Sequence, residues 1–359
     1  MHKKLSGVRI MAYTTIDDPS AYFQTALYNG SSSSVTVTND GNSDLKPDWL
    51  WFKKRSASGD NNAFDTSRGL TERLFPNLTS QVDTGSNGIT SLTDGFTSGT
   101  FYGDVNGAGQ TFVTWQWKAN GGTTSSNSSG DITSTNQIST TSGFGILTYT
   151  GFGEAVKTLG HNLGSVPDMM IFKSRSSSGG WFVYHKDLGN GKYINLHSSD
   201  AATTDSNFLN NTTPTSSLIT LGTSSAANNA SVTFVCYLFK SIQGYSKFGS
   251  YTGNGNADGP FVYTGFKPAW LLIKETSGTE DWRLYDSKRS PLNVMNIQLF
   301  PNSASSEATS SSYDLDFLSN GFKLRSSHGG YNTNDDTYIF MAFAEYPFVS
   351  SEGVPVTAR

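Results

Sequence analysis

Along this chain, short apolar runs are separated by stretches of Ser, Thr, Asn and Gly, and the runs return in the same order three times. Each round begins with an aromatic-rich segment ending in glycine: Tyr22–Gly30, Phe144–Gly151 and Phe248–Gly253. A proline then opens a second run, from Pro47 to Lys53, Pro167 to Lys173 and Pro268 to Lys274, with a step of six residues in each. Proline lacks an N–H, so it is tolerated at the first position of a strand and not within it. The apolar residues that follow predict a central strand covered on both faces, and the lysine is expected where the chain re-emerges into water.

Further pairs keep the register. Phe64-Asp65, Tyr184-His185 and Tyr285-Asp286 stand at one distance from their prolines, and Trp181 and Trp282 precede the tyrosines by three residues. Leu74-Phe-Pro-Asn77 matches Leu299-Phe-Pro-Asn302, and Leu92-Thr-Asp-Gly-Phe96 matches Leu318-Ser-Asn-Gly-Phe322. The Asp-Gly and Asn-Gly pairs are expected to supply the positive φ of tight hairpin turns. In the middle round these motifs have worn down to Ile194–Asp200 and Leu218–Leu221. Each round closes with a strand of period two: Phe112 to Trp117, Phe234 to Phe239 and Tyr338 to Phe343.

Repetition at this spacing predicts an all-β chain of tandem antiparallel β-sandwiches, of the concanavalin or jelly-roll kind, in three diverged copies. The expected units are a β-sandwich over 20–118, a second over 143–245 and a third over 246–348. Residues 1–19 and 349–359 read as extensions ordered by a partner. Residues 119–142, rich in Gly, Ser, Thr and Asn, read as an exposed linker. The short joint Lys240–Lys247 predicts that the second and third units move as one rigid body.

Composition fits short strands and open turns. Gly accounts for 37 of 359 residues and charged residues for 15%, while 16 Tyr, 23 Phe and 7 Trp supply apolar area for thin sheet-on-sheet cores. A formal charge of -4 offers no basic field for a nucleic-acid partner. No apolar span approaches the roughly 20 residues of a membrane helix, so membrane insertion is not expected, and Met1–Ile10 lacks the apolar stretch of a secretion signal. Cys236 is the single cysteine and reads as a buried small hydrophobe on one strand face with Val232, Phe234 and Leu238.

Chemistry-bearing residues are few. Asp65, Asp286 and Glu280-Asp281 are the best carboxylates for a glycosidase pair, yet His185 replaces the aspartate in the middle copy, so no catalytic residues are assigned. The five histidines, His2, His161, His185, His197 and His328, form no ligand spacing; His185 and His197 alone have the placement to converge across a hairpin. Asn254, Asn256 and Asp258 alternate as in a calcium loop without its closing glutamate, and read as a turn. No metal or cofactor is expected. The sharper lead is aromatic: Trp181, Tyr184 and His185 with Trp282, Arg283, Tyr285 and Asp286 as a shallow platform stacking on sugar rings. The alternative for Trp181 and Trp282 is inward-facing core anchors, which constrain register more strongly than surface positions do.

The strings YFQTALYNG, KPDWLWFKKR, FDTSRG, DGF and FVTWQWKANG resemble an uncharacterised repeated domain of structural proteins from marine tailed bacteriophages. GHNLGSVPDMMIFKSR carries the likeness into the second copy, and GFKPAWLLIKE, YDSKRS, LSNGF and YIFMAFAEYPF into the third, so it covers roughly 20–348. YHKDLG in the second copy departs from FDTSRG in the first. The resemblance implies a virion-surface protein with lectin-like sandwiches, set in a tail or head fibre or appendage beside other virion structural proteins, as a homo-oligomer such as a trimer. It implies a host-surface glycan or receptor as ligand; capsid decoration and carbohydrate hydrolysis are the competing roles.

Overall fold

Three antiparallel sheets repeat one strand order. The computed structural model describes residues 12–31, 33–85, 88–100 and 103–355. In the first repeat, β1 (Phe23–Asn29), β2 (Trp49–Lys54), β3 (Asn62–Asp65) and β4 (Thr111–Trp117) lie in the order β1-β4-β2-β3. In the second, β5 (Phe144–Thr150), β6 (Met169–Ser174), β7 (Trp181–His185) and β8 (Thr233–Phe239) lie in the order β5-β8-β6-β7. The third has β9 (Ser246–Thr252), β10 (Phe266–Glu275), β11 (Arg283–Asp286) and β12 (Thr337–Pro347), ordered β9-β12-β10-β11. The closing strand of each repeat is thus central, and the proline-led strand pairs with it.

Both faces of every principal sheet are covered. One face meets a small sheet of its own repeat: Val35–Val37 with Ile89–Ser91 and Phe96–Ser98, Lys157–Gly160 with Leu218–Leu221, or Phe261–Tyr263 with Leu315–Leu318 and Gly321–Leu324. Between each pair lies a separate apolar cluster, and Cys236 packs in the second of them. The opposite faces of all three sheets meet one another. Trp49, Trp115 and Trp117 of the first repeat, Ile146, Tyr237 and Phe239 of the second, and Trp270, Met341 and Phe343 of the third share one interior. Period two explains the division: along β8, Val235, Tyr237 and Phe239 enter the common interior while Phe234, Cys236 and Leu238 enter the private one.

Recurrent polar details fix the strand ends. Tyr28, Tyr149 and Tyr251 each donate a hydroxyl hydrogen bond to the backbone of a one-turn helix, at Val105, Ala227 and Tyr331. The next residue in each helix, Asn106, Asn228 or Asn332, accepts the N–H of Ser31, Phe152 or Asn254. Glycine is required between the tyrosine and the residue that donates this N–H, because a Cβ on Gly30, Gly151 or Gly253 would meet a backbone oxygen within 2.2 Å. Only part of the turn expectation stands. Gly95 has φ +88°, whereas Gly321 has no positive φ and is held to glycine by the Val262 carbonyl, which lies where its side chain would begin.

Four expectations need correction. Residues 119–142 are not an exposed linker: Ser125–Asn127 and Ser134–Ser139 are strands that extend the second sheet from β5, and Asn136 and Gln137 are buried. The second and third repeats do not form a separate rigid pair, since the first shares their interior. Lys53, Lys173 and Lys274 do not re-emerge, each being 0% exposed. Pro268 stands inside β10 at a register shift, not ahead of the strand as the equivalent prolines do. The described parts of the two extensions meet each other, with Ile16 in the common interior and Asp17 bonded to Ser351; residues 1–11 and 356–359 lie outside the described residues.

A repeat cut out alone would expose its inner sheet face. A fragment of residues 246–348 is therefore expected to show no cooperative thermal transition by circular dichroism, while the full chain unfolds in a single one. Trp282→Ala in the full chain should lower stability by about 3–5 kcal/mol in chemical denaturation, and move every repeat's signal together.

Candidate functional site

None of the seven residues proposed as a sugar platform is on the surface. Trp181, His185, Tyr285 and Asp286 are fully buried, Trp282, Tyr184 and Arg283 nearly so. Six of them lie on β7 and β11, and Trp282 immediately precedes β11; these strands face the interior on one side and a small sheet on the other. The core-anchor alternative for Trp181 and Trp282 is what the structure shows.

Their polar atoms join one repeat to the next in a closed ring. Trp181 Nε1 donates to the Phe75 carbonyl at 2.8 Å, and Trp282 Nε1 donates to the Asn195 carbonyl at 2.7 Å. At the third junction Asn61 takes the tryptophan's place and donates to the carbonyls of Phe300 and Ser303. Each of these residues is held by its own repeat: Asn77 accepts the Asn61 N–H, Asn302 that of Trp282, and His197 that of Trp181. The Leu-Phe-Pro-Asn motif therefore carries one residue that aims the donor and one whose carbonyl receives the next donor. His197 shows that the worn middle copy keeps the function.

The buried lysines repeat the same cycle. Lys53 donates to the Ser303 carbonyl, Lys173 to that of Thr79 and Lys274 to that of Ser199, each in the neighbouring repeat. Burial pulls each ammonium down to about 8. Arg55–Glu307 and Arg175–Glu72 add partly exposed ion pairs across two of the junctions.

The aspartate positions form a third set. Asp65 pairs with Arg68 and accepts the Tyr237 hydroxyl from the second repeat at 2.7 Å. Asp286 pairs with Arg289 and accepts the Trp115 indole N–H from the first at 3.1 Å. In the second repeat all three partners differ together: His185 replaces aspartate, Leu188 replaces arginine, and Met341 stands where Trp115 and Tyr237 supply a donor. His185 Nδ1 accepts the Asp187 N–H while the ring faces the β12 backbone at Phe340, and burial pushes its pKa down to about 4. Neutral imidazole suits a junction that lacks the arginine and the Trp or Tyr donor of the other two. Asp65 and Asp286 are closed off from any sugar, and Glu280 and Asp281 are engaged by Arg283 and Asn302.

The remaining candidates resolve as turns. Asn254 and Asn256 accept the N–H groups of Asn256 and Asp258, and Asp258 pairs with Lys323. Among the described residues, no three His, Cys, Asp or Glu side chains come together as a metal site, and no helix is long and apolar enough to cross a membrane. Burial raises the Cys236 thiol well above its usual range.

One cleft opens at a junction. It lies between the first and third repeats, with a volume of ≈ 480 Å³. Phe23, Gln24 and Thr25 of β1 line one side, and Ala269, Ser287 and Lys288 the other. An exposed Lys288–Asp40 pair at 2.6 Å spans the two repeats there. Sequence gave no signal for this cleft, because it depends on which repeats become neighbours.

A family model described as a domain of unknown function (DUF7483) matches residues 18–347, a span that takes in all three repeats. No curated protein and no solved structure matches the chain.

Two measurements test the ring contacts. Below pH 8 the three lysines are charged in both states, at a cost to the fold; between about 8 and 10.5 the unfolded chain binds more protons, so this contribution makes stability rise with pH. Lys274→Met should flatten that rise in denaturation curves taken at several pH values across the window. His185→Asp should destabilise the chain by about 3–5 kcal/mol as an unpaired buried carboxylate, and adding Leu188→Arg should restore part of the loss.

Proposed function

We propose that the chain, which belongs to the DUF7483 family, is a non-enzymatic structural protein of a tailed-phage virion surface, a component of a tail or head fibre or appendage. The observation that carries this reading is the fate of its chemistry-bearing side chains. At every repeated position that sequence offers for catalysis or binding, the carboxylate, lysine, histidine or tryptophan is buried and bonded to the chain's own backbone or side chains. Such a molecule acts through shape and attachment, with loops rich in Ser, Thr and Asn facing outward.

The resemblance to phage structural repeats supports the particle context. Host-glycan binding belongs to the same proposal, carried by outer loops in place of the buried platform. Labelling purified virions with an antibody to this protein tests the reading: sparse label at the tail or at vertices is expected. Uniform coverage of the shell would favour a decoration protein, and absence from the particle would overturn the virion assignment. Turnover of a host polysaccharide by the purified chain would overturn the non-enzymatic part.

A further inference from the structure

We propose that the cleft between the first and third repeats receives an extended polypeptide segment from a partner protein, which adds to the free edge of β1 as one more strand. The inference rests on the structural reading above, and its test needs no virion.

The chain contains the arrangement already. Register equates Thr25 with Ile146, since both lie five residues before the glycine that ends their strand. In the second repeat, strand Ser134–Ser139 pairs with β5 and sets Gln137 opposite Ile146. Gln137 Oε1 there accepts hydrogen bonds from Thr66 at 2.9 Å and Ser67 at 2.6 Å, across the junction to the first repeat. The residues matching Thr66 and Ser67 in the third repeat are Ser287 and Lys288, and both line the cleft facing β1. One junction is therefore filled by a strand, and the corresponding space at another is open. At the remaining junction, the side chain of Asp187 reaches Ser250 on the β9 edge.

The β1 edge has the atoms to bind a strand. Tyr22 and Gly30 bond to β4 and its continuation, so alternate residues Gln24 and Ala26 also face β4, and Phe23, Thr25 and Leu27 point their N–H and C=O groups the other way. Among the described residues, the N–H groups of those three have no partner. Thr25 is 6% exposed and its Oγ1 is buried without a hydrogen bond, at the position where the other repeats place Ile146 and Phe248 in the common interior. From Phe23 to Leu27 the edge runs about 13 Å at roughly 3.3 Å per residue, room for a short strand. The occupant that fits is an uncharged segment rich in Ser, Thr and Asn with glutamine opposite Thr25, like Ser134–Ser139 itself. Main-chain bonds would give affinity and the glutamine the selectivity. The Lys288–Asp40 pair at the mouth is exposed, and such pairs are readily displaced.

The probe is a fluorescein-labelled synthetic peptide of residues 132–141 (ITSTNQISTT), titrated into the full chain and followed by anisotropy. Saturable one-to-one binding is expected, weakened at least about tenfold when the peptide carries an N-methyl group on Gln137, which removes the N–H aimed at the Thr25 carbonyl. Thr25→Pro in the protein should weaken it similarly, because proline on an edge strand removes only the outward N–H. The modified peptide keeps the test valid should that variant misfold. No saturable binding up to about 1 mM, or binding indifferent to N-methylation, overturns the proposal. So does a saccharide that binds in the cleft where the peptide does not. A chain absent from virions that still binds the peptide overturns the particle assignment alone.

Discussion

Every principal sheet in this protein has two apolar faces, and only one of them is covered by its own repeat. The uncovered faces are dominated by aromatic side chains that no sandwich of about a hundred residues hides alone. Trp49 stacks on Tyr237 of the second repeat at 4.5 Å between ring centroids, and Phe23 on Phe343 of the third at 5.0 Å. Closure of three sheets around one interior satisfies all of them at once. The three sheets share one buried interior, and the family model spans all three repeats.

Burying three sheet faces together also buries the polar ends of the strands, and the ring of junctions answers that cost. Backbone carbonyls at Phe75, Asn195 and Phe300 would be left without partners in a dry interface. The indole or amide donors satisfy them from the neighbouring repeat, and the lysines do the same for the carbonyls of Ser303, Thr79 and Ser199. The shifted titration of several ionisable groups has its largest cause in this burial. Perturbed lysines and a histidine near pKa 4 would elsewhere suggest an active site. Here each has a partner or neighbour that accounts for it.

Much of the fold was legible in the sequence. The proline-to-lysine step, the aromatic positions and the period-two closing strands located the principal strands, because such patterns report which residues face an apolar environment. They do not report whose environment it is. Lys53 looked like a point of return to water since a lone lysine after an apolar run is usually solvated; one of its two partner carbonyls is the nearby Gly59, and the other, Ser303, lies 250 positions away. Residues 119–142 looked like a linker because their strands are made of Ser, Thr, Asn and Gln, whose pairing depends on the β5 edge. The aromatic platform failed for a related reason: the spacing that made Trp181 and Trp282 conspicuous was imposed by packing against the next repeat.

The histidine, leucine and methionine set has a consequence for handedness. Three tethered repeats can close into a ring in either of two directions, and nearly identical repeats would leave the two close in energy. In the observed direction Tyr237 meets Asp65, Trp115 meets Asp286, and the backbone of Phe340, next to Met341, meets His185. Closing the other way would set Met341 against Asp65, burying a carboxylate that has lost its cross-repeat donor. The wear in the middle copy is thus an address label: it tells the chain which way round to close.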